Sequence, residues 1–197
     1  MTEQQKLHTV TIPTSEQVEA ERERLQYRKK FRRTLRTTVS ALIVVAAVAI
    51  LLATMFLPVL QVSGKSMEPT LSDQDVILLA KTGDFKTGDL VGFYYQNKLL
   101  LKRVIAGPGD IVDIDDEGNV SVNGEVLDEP YVTEKSLGET DITYPYQVPE
   151  NRYFVMGDNR ATSIDSRSSV IGCIEKDQIV GKVILRVWPL KRISFIE

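Results

Sequence analysis

Twenty consecutive uncharged residues, Ala41 to Leu60 ("ALIVVAAVAILLATMFLPVL"), set the strongest constraint on this chain, with Thr54 and Pro58 as the only interruptions. Coiled as a helix, a run of this length reaches roughly 30 Å, the hydrocarbon thickness of a bilayer. A helix buried in a soluble core would show polar positions at helical spacing, a pattern this run lacks. A cleaved leader would have an apolar region of about 7–15 residues ending at a small-x-small site. Here the run is longer, and "FLPVLQVSG" offers only a weak site around Val62 and Gly64. The segment therefore reads as a retained membrane anchor. Arg28, Lys29, Lys30, Arg32, Arg33 and Arg36 crowd its N-terminal side, while Lys65 is the only basic residue shortly after it. That asymmetry predicts a single-pass protein of the cell membrane, with its N-terminus in the cytoplasm and everything from residue 61 outside.

The chain divides into three parts: a charged cytoplasmic tail over 1–37, the anchor over 38–60 and an extracytoplasmic domain over 61–197. In the tail, Thr14-Ser15-Glu16-Gln17 has the T-x-x-Q form of a helix capping box, and the basic cluster beyond it faces solvent or the lipid bilayer. Residues 1–60 carry nine Lys/Arg against five Asp/Glu, and residues 61–197 carry fifteen against twenty-two. An acidic outer domain argues against a nucleic-acid partner, because phosphate binding needs a basic face. Cys173 is the only cysteine and His8 the only histidine, so there is no intrachain disulfide and no familiar zinc spacing in the outer domain. Neither metal nor organic cofactor is expected.

After the span the pattern changes to short apolar runs between turn residues: Val76–Ala80, Leu90–Tyr95, Leu99–Ala106, Ile111–Ile114, Val120–Val122, Tyr153–Met156 and Ile179–Val187. The outer domain is therefore mainly β, an antiparallel sheet fold behind one helix. Asn123-Gly124 predicts a hairpin, Gly107-Pro108-Gly109-Asp110 a turn, and Gln96-Asn97-Lys98 closes another hairpin. Residues 107–150, rich in proline and acidic residues, read as an irregular excursion inserted between two parts of one β core. Within it "DIDDEGN" at Asp113–Asn119 starts like a calcium loop, but Gly124 stands where the closing glutamate belongs, so it reads as a hairpin turn.

One short stretch raises a chemical question. In "GKSMEPTL", Ser66 lies between a flexible glycine and a stiffening proline, as a presented side chain would, yet a serine hydroxyl needs a base to act as a nucleophile. With no histidine beyond His8, carboxylates and lysines remain. At an unperturbed pKa near 10.4 only about one lysine in 2,500 is neutral at pH 7, whereas burial lowers the value by about 3–5 pH units. A useful lysine therefore sits in apolar company. Lys65 adjoins Ser66, but neighbours in an extended segment point to opposite faces, which makes Lys65 a solvated flank. Lys102, in "LLLKRVIA", shares a face by period-two alternation with Leu100, Val104 and Ala106, while Arg103 takes the other. Two readings stand for it at this level: a desolvated amine acting as base, or an edge-strand lysine reaching out to water.

An anchor followed in order by "SGKSMEPTL", "LKRVIAGPGD" and "VMGDNRATSIDSR" resembles the bacterial type I signal peptidases, in the shorter form of Gram-positive bacteria, over the chain from anchor to C-terminus. The resemblance implies a signal-peptidase-like fold and a membrane-bound serine endopeptidase that removes signal peptides from secreted preproteins after a small-x-small motif. It implies Ser66 as nucleophile and Lys102 as general base, with the backbone N–H of Ser66 in the oxyanion hole. Ser163 falls where the family has a hydroxyl that hydrogen-bonds and orients the lysine, and Asp158, Arg160, Asp165 and Arg167 become supporting charges. Without the resemblance these four read as surface or loop ion pairs. Gly64 is a departure: some members carry a serine there that adds an oxyanion donor. Ala161, Thr162 and "SSVIGCIEK" at Ser168–Lys176 also depart from the pattern and bear on substrate preference. A non-catalytic or specialised relative serving pilin or surface-protein assembly is the alternative, and the presence of both Ser66 and Lys102 argues against its non-catalytic form.

Overall fold

The computed structural model describes residues 14–196, which fall into two compact units dividing between Leu52 and Ala53. The first is helical. Helix α1 (Ser15–Phe56) is long and apolar enough over its C-terminal part to cross a membrane. Its start follows the capping sequence: Gln17 Oε1 accepts the Thr14 N–H at 3.1 Å, satisfying a donor that the helix leaves free. The last turn closes with Leu57 N–H to Ala53 at 2.8 Å, and Pro58 then stops the helix, since the residue before a proline is forced toward extended backbone. The end of the apolar run is therefore not helical. Val59 and Leu60 belong to strand β1 (Val59–Gln61).

The second unit is mainly β, with the last turn of α1 and two 3-10 turns at Lys176–Gln178 and Leu190–Arg192. In chain order its further strands are β2 (Val76–Ala80), β3 (Leu90–Tyr95), β4 (Lys98–Ala106), β5 (Ile111–Ile114), β6 (Val120–Val122), β7 (Glu125–Val126), β8 (Tyr146–Gln147), β9 (Arg152–Met156), β10 (Ile174–Glu175), β11 (Ile179–Trp188) and β12 (Ser194–Phe195). One sheet runs β1-β2-β11-β3-β4-β9-β10, with β12 also on β11, and a smaller one runs β7-β6-β5-β8. The pairings are antiparallel. β4 and β9 are direct neighbours, and the segment between them supplies the whole smaller sheet, with residues 127–145 lying outside any strand or helix.

Turn chemistry explains the registers. Asn123 and Gly124, at φ 55 and 84, join Val122 to its partner Glu125 in the tight turn that positive φ allows. Gln96 and Asn97 alone close the β3–β4 hairpin, with Lys98 already paired to Tyr95 in the strand. Asp115 caps the β5–β6 turn, accepting the backbone and side-chain N–H of Asn119, both at 2.7 Å. The short strands β7, β8, β10 and β12 escape a sequence reading because two residues carry no alternation; only their partners define them.

Three apolar clusters hold the unit. Ile77 and Leu79 of β2 alternate inward, fully buried with Val183, Leu90, Met67 and Leu71. Val91, Phe93, Val104 and Val155 fill the second, and Ile105, Ala106, Val112, Phe154 and Met156 join the insertion to the main sheet in the third. Ala106 thus leaves the company of Leu100 and Val104 in which strict alternation placed it. A bulge between Val104 and Ala106 shifts the register and turns the strand end toward the insertion.

Candidate active site

Ser66 begins a tight loop that its own sequence pins down. Met67 and Leu71, four residues apart, are 2% and 0% exposed, and burying each contributes about 1.5–3 kcal/mol, which holds the intervening loop against the core. Ser66 itself stays partly exposed, between buried neighbours and an open cleft. From β4, Lys102 Nζ donates to Ser66 Oγ at 3.0 Å. Lys102 is 4% exposed, and this burial pushes its amine below the ordinary lysine value of 10.5; Asp165 opposes the shift, Arg167 assists it and Asp158 opposes it. Lys65 is exposed.

The charged residues of "GDNRATSIDSR" are buried, not at the surface as their composition suggested: Asp158, Arg160 and Asp165 are each 1% exposed and Arg167 0%. Burial is tolerable because each is fully engaged. Asp158 takes Arg103 in a two-pronged pair, both contacts 2.8 Å, and also accepts the Thr70 hydroxyl at 2.5 Å. Asp165 pairs with Arg167 at 2.8 Å and accepts the Gly157 N–H at 3.0 Å. Arg167 then donates to the carbonyls of Leu137, Arg160 and Ser163 at 2.8, 2.9 and 3.2 Å. Arg160 pairs with Glu129 of the insertion.

Ser163 is placed differently from the expectation. It is 3% exposed and packs on Gly157, but its Oγ has no hydrogen-bond partner among the described residues, so the expected bond to Lys102 is not formed. The Lys102 amine is directed at Ser66 instead. Gly157 explains the crowding: a Cβ there would stand 2.6 Å from the Ser66 carbonyl oxygen, and that carbonyl accepts the Asn159 N–H at 3.1 Å. Only glycine permits this approach.

Beside the pair lies a cleft of about 240 Å³, lined by Leu60, Val62, Gly64, Met67 and Leu99–Leu101 together with Ser66 and Lys102. β9 pairs with β4 only from Arg103 onward, so residues 98–102 have β3 on one side and an open edge on the other. Gly64 sits at φ +94, with nothing within 4 Å of where a Cβ would stand, and donates its N–H to Asp73 at 2.9 Å. That backbone conformation strains a serine, which gives the departure at this position a local cause.

The structure therefore brings Ser66, Lys102, Ser163, Asp158 and Asp165 with Arg167 to one place, and puts Arg160 behind them. Sequence reasoning missed Arg103, Thr70, Glu129, Tyr131 and Gly157. Alternation did set Arg103 apart from Lys102, and a lone buried arginine demands a carboxylate, but which one is a tertiary matter.

The family model described as signal peptidase, peptidase S26, matches residues 35–188. Signal peptidase I of Bacillus amyloliquefaciens is 35% identical over 164 residues, 78% of this chain and 88% of that one. Signal peptidase I P of Bacillus subtilis subsp. natto is 36% identical over 168 residues, covering 79% of this chain and 90% of that one. A solved signal peptidase I from Enterococcus faecalis V583 is similar at 28% identity and a TM-score of 0.42, over 50% of this chain and 96% of that one.

Proposed function

The chain belongs to the signal peptidase family, peptidase S26, and from that membership we propose that it is a membrane-bound serine endopeptidase using Ser66 and Lys102 to cut exported preproteins after a small-x-small motif. The observation that carries the reading is the 3.0 Å contact between Lys102 Nζ and Ser66 Oγ, made by a lysine that burial keeps toward its neutral form. Neutral Lys102 takes the Ser66 proton as Oγ attacks the scissile carbonyl, and the resulting ammonium then protonates the leaving amine. The amine so regenerated activates water to release the acyl group. The backbone N–H of Ser66 is the proposed oxyanion donor, in keeping with the glycine at position 64; one such donor is worth about 3–4 kcal/mol. Asp158, Asp165 and Arg167 set the charge around Lys102, Arg160 supports their turn, and Ser163 supplies a spare hydroxyl beside the Ser66 backbone.

An extended substrate adds to the open edge of β4, so that alternate side chains enter the narrow cleft and only small ones fit. The lipid bilayer is the setting, with the N-terminus cytoplasmic and the β unit outside, as the basic cluster before the span favours. Substitution tests the dyad. Ser66→Ala and Lys102→Met each reduce cleavage of an Ala-x-Ala preprotein by about a thousandfold or more while circular dichroism stays native; Ser163→Ala loses less and Lys65→Met little. Full activity in Lys102→Met sinks the assignment of the base. A folded wild type that binds pilin precursors but cleaves nothing replaces the peptidase with the assembly reading.

A further inference from the structure

Two side chains of the insertion reach the turn that brackets Ser66. Glu129, 7% exposed, accepts from Arg160 with both carboxylate oxygens, Nη1 to Oε2 at 3.1 Å and Nη2 to Oε1. Tyr131 donates its hydroxyl to Glu129 at 3.1 Å and lays its ring against the Arg103 guanidinium, 3.9 Å from Cζ to centroid. Arg160 in turn donates Nε to the Gly157 carbonyl at 3.2 Å. Asn159 donates its N–H to the Ser66 carbonyl, and Gly157 leaves the space beside that oxygen that a Cβ would fill. On the other side, Arg103 follows Lys102 in β4 and is fastened to Asp158 in the same turn.

We infer that Glu129 and Tyr131 are positioning residues for the reaction: the insertion holds the nucleophile through Arg160 and the base through Arg103. The inference rests on the reading of Ser66 and Lys102 as the reacting pair. Neither Glu129 nor Tyr131 touches the reacting atoms. A two-pronged carboxylate–guanidinium pair fixes direction as well as distance, and a ring on the guanidinium restricts its tilt. Misplacing reacting groups by about 1 Å costs on the order of a hundredfold in rate, so the loss belongs in kcat rather than in substrate binding.

The test uses the full chain in detergent with a signal-peptide substrate, reading kcat, KM and melting temperature. Glu129→Gln and Tyr131→Leu each lower kcat about tenfold or more with KM changed less than about threefold, and Tyr131→Phe, which keeps the ring, restores kcat to within about threefold of wild type. Glu129→Gln also lowers the melting temperature, because it leaves the buried Arg160 charge unpaired. Combining Glu129→Leu with Arg160→Met removes both charges and brings the melting temperature back, yet kcat stays low because the Arg160–Gly157 link is gone. A merely structural role has kcat returning with the melting temperature; that result, or wild-type kcat in Glu129→Gln, overturns the inference. Ser66→Ala in the same assay separates the two levels. Full activity there removes the dyad reading and this inference with it, whereas an inactive Ser66→Ala beside a fully active double variant removes the inference alone.

Discussion

Burial shifts Lys102 toward its neutral form at the expense of folding stability. Burial lowers its pKa below 10.5, with Asp165 and Asp158 pulling the other way and Arg167 adding to the shift. Between the lowered folded value and 10.5 the unfolded chain binds more protons than the folded one, so stability rises with pH across that window and the full penalty applies below it. Lys102→Met therefore melts higher than wild type at neutral pH, and the gap closes as pH approaches 10.5. Melting curves across that range check it; a wild type that melts higher than the variant at neutral pH contradicts the desolvation account. On the proposed mechanism activity follows the same group: cleavage is expected to rise with pH through a value below 10.5, and an ascending limb at 10.5 itself rules out a desolvated base. The residue scale was partly legible in advance, since "LLLKRVIA" announces a lysine among aliphatic neighbours. The same pattern says nothing of Arg103's partner, because Asp158 comes from a loop 55 positions along the chain.

At the scale of elements, β4 and β11 organise the unit. β4 pairs with β3 over Lys98–Arg103 and with β9 from Arg103 onward, so residues 98–102 are paired on one side only, which puts a backbone edge next to Ser66 without exposing the core. β11 lies between β2 and β3 and crosses them with bulges, one between Ile179 and Gly181. Gly181 sits where a Cβ would press on the Ala80 carbonyl, 2.9 Å from its carbon, and on Lys81 N at 3.3 Å. Backbone cannot yield as a flexible side chain does, so Gly181→Ala costs about 1–3 kcal/mol of stability. Denaturant unfolding of the detergent-solubilised chain measures it, and an unchanged midpoint shows that the strands separate more easily than their pairing implies. The long strands were readable from alternation and turn residues. β1 was hidden inside the apolar run, where Pro58 is the only mark that the helix must end.

For the whole molecule the first question is which side of the membrane the β unit occupies. The cluster Arg28, Lys29, Lys30, Arg32, Arg33 and Arg36 before the span, against the single Lys65 shortly after it, is what the proposed cytoplasmic N-terminus rests on. Protease added to wall-stripped intact cells then removes the chain after residue 61 and leaves the tail and anchor. Complete protection of the β unit in intact cells, with digestion only after permeabilisation, reverses the orientation. The second whole-molecule feature is the insertion: its sheet packs on Phe154 and Met156 and sends Glu129 and Tyr131 toward the Ser66 loop.

The sequence by itself determined an apolar run long enough to cross a membrane, the β character of the chain beyond it, most strand positions, and a presented serine and a lysine in apolar company as separate candidates. These are readable because each depends on local order: length against bilayer thickness, period two along a strand, positive φ at a turn. Tertiary structure alone decided that Lys102 reaches Ser66, that Asp158 answers Arg103 rather than Arg160, that the Ser163 hydroxyl has no partner among the described residues, and that Glu129 closes the charge balance from the insertion. Each of those facts joins side chains from distant segments. A buried charge must find a partner, but the chain order does not say which one folding will bring within reach.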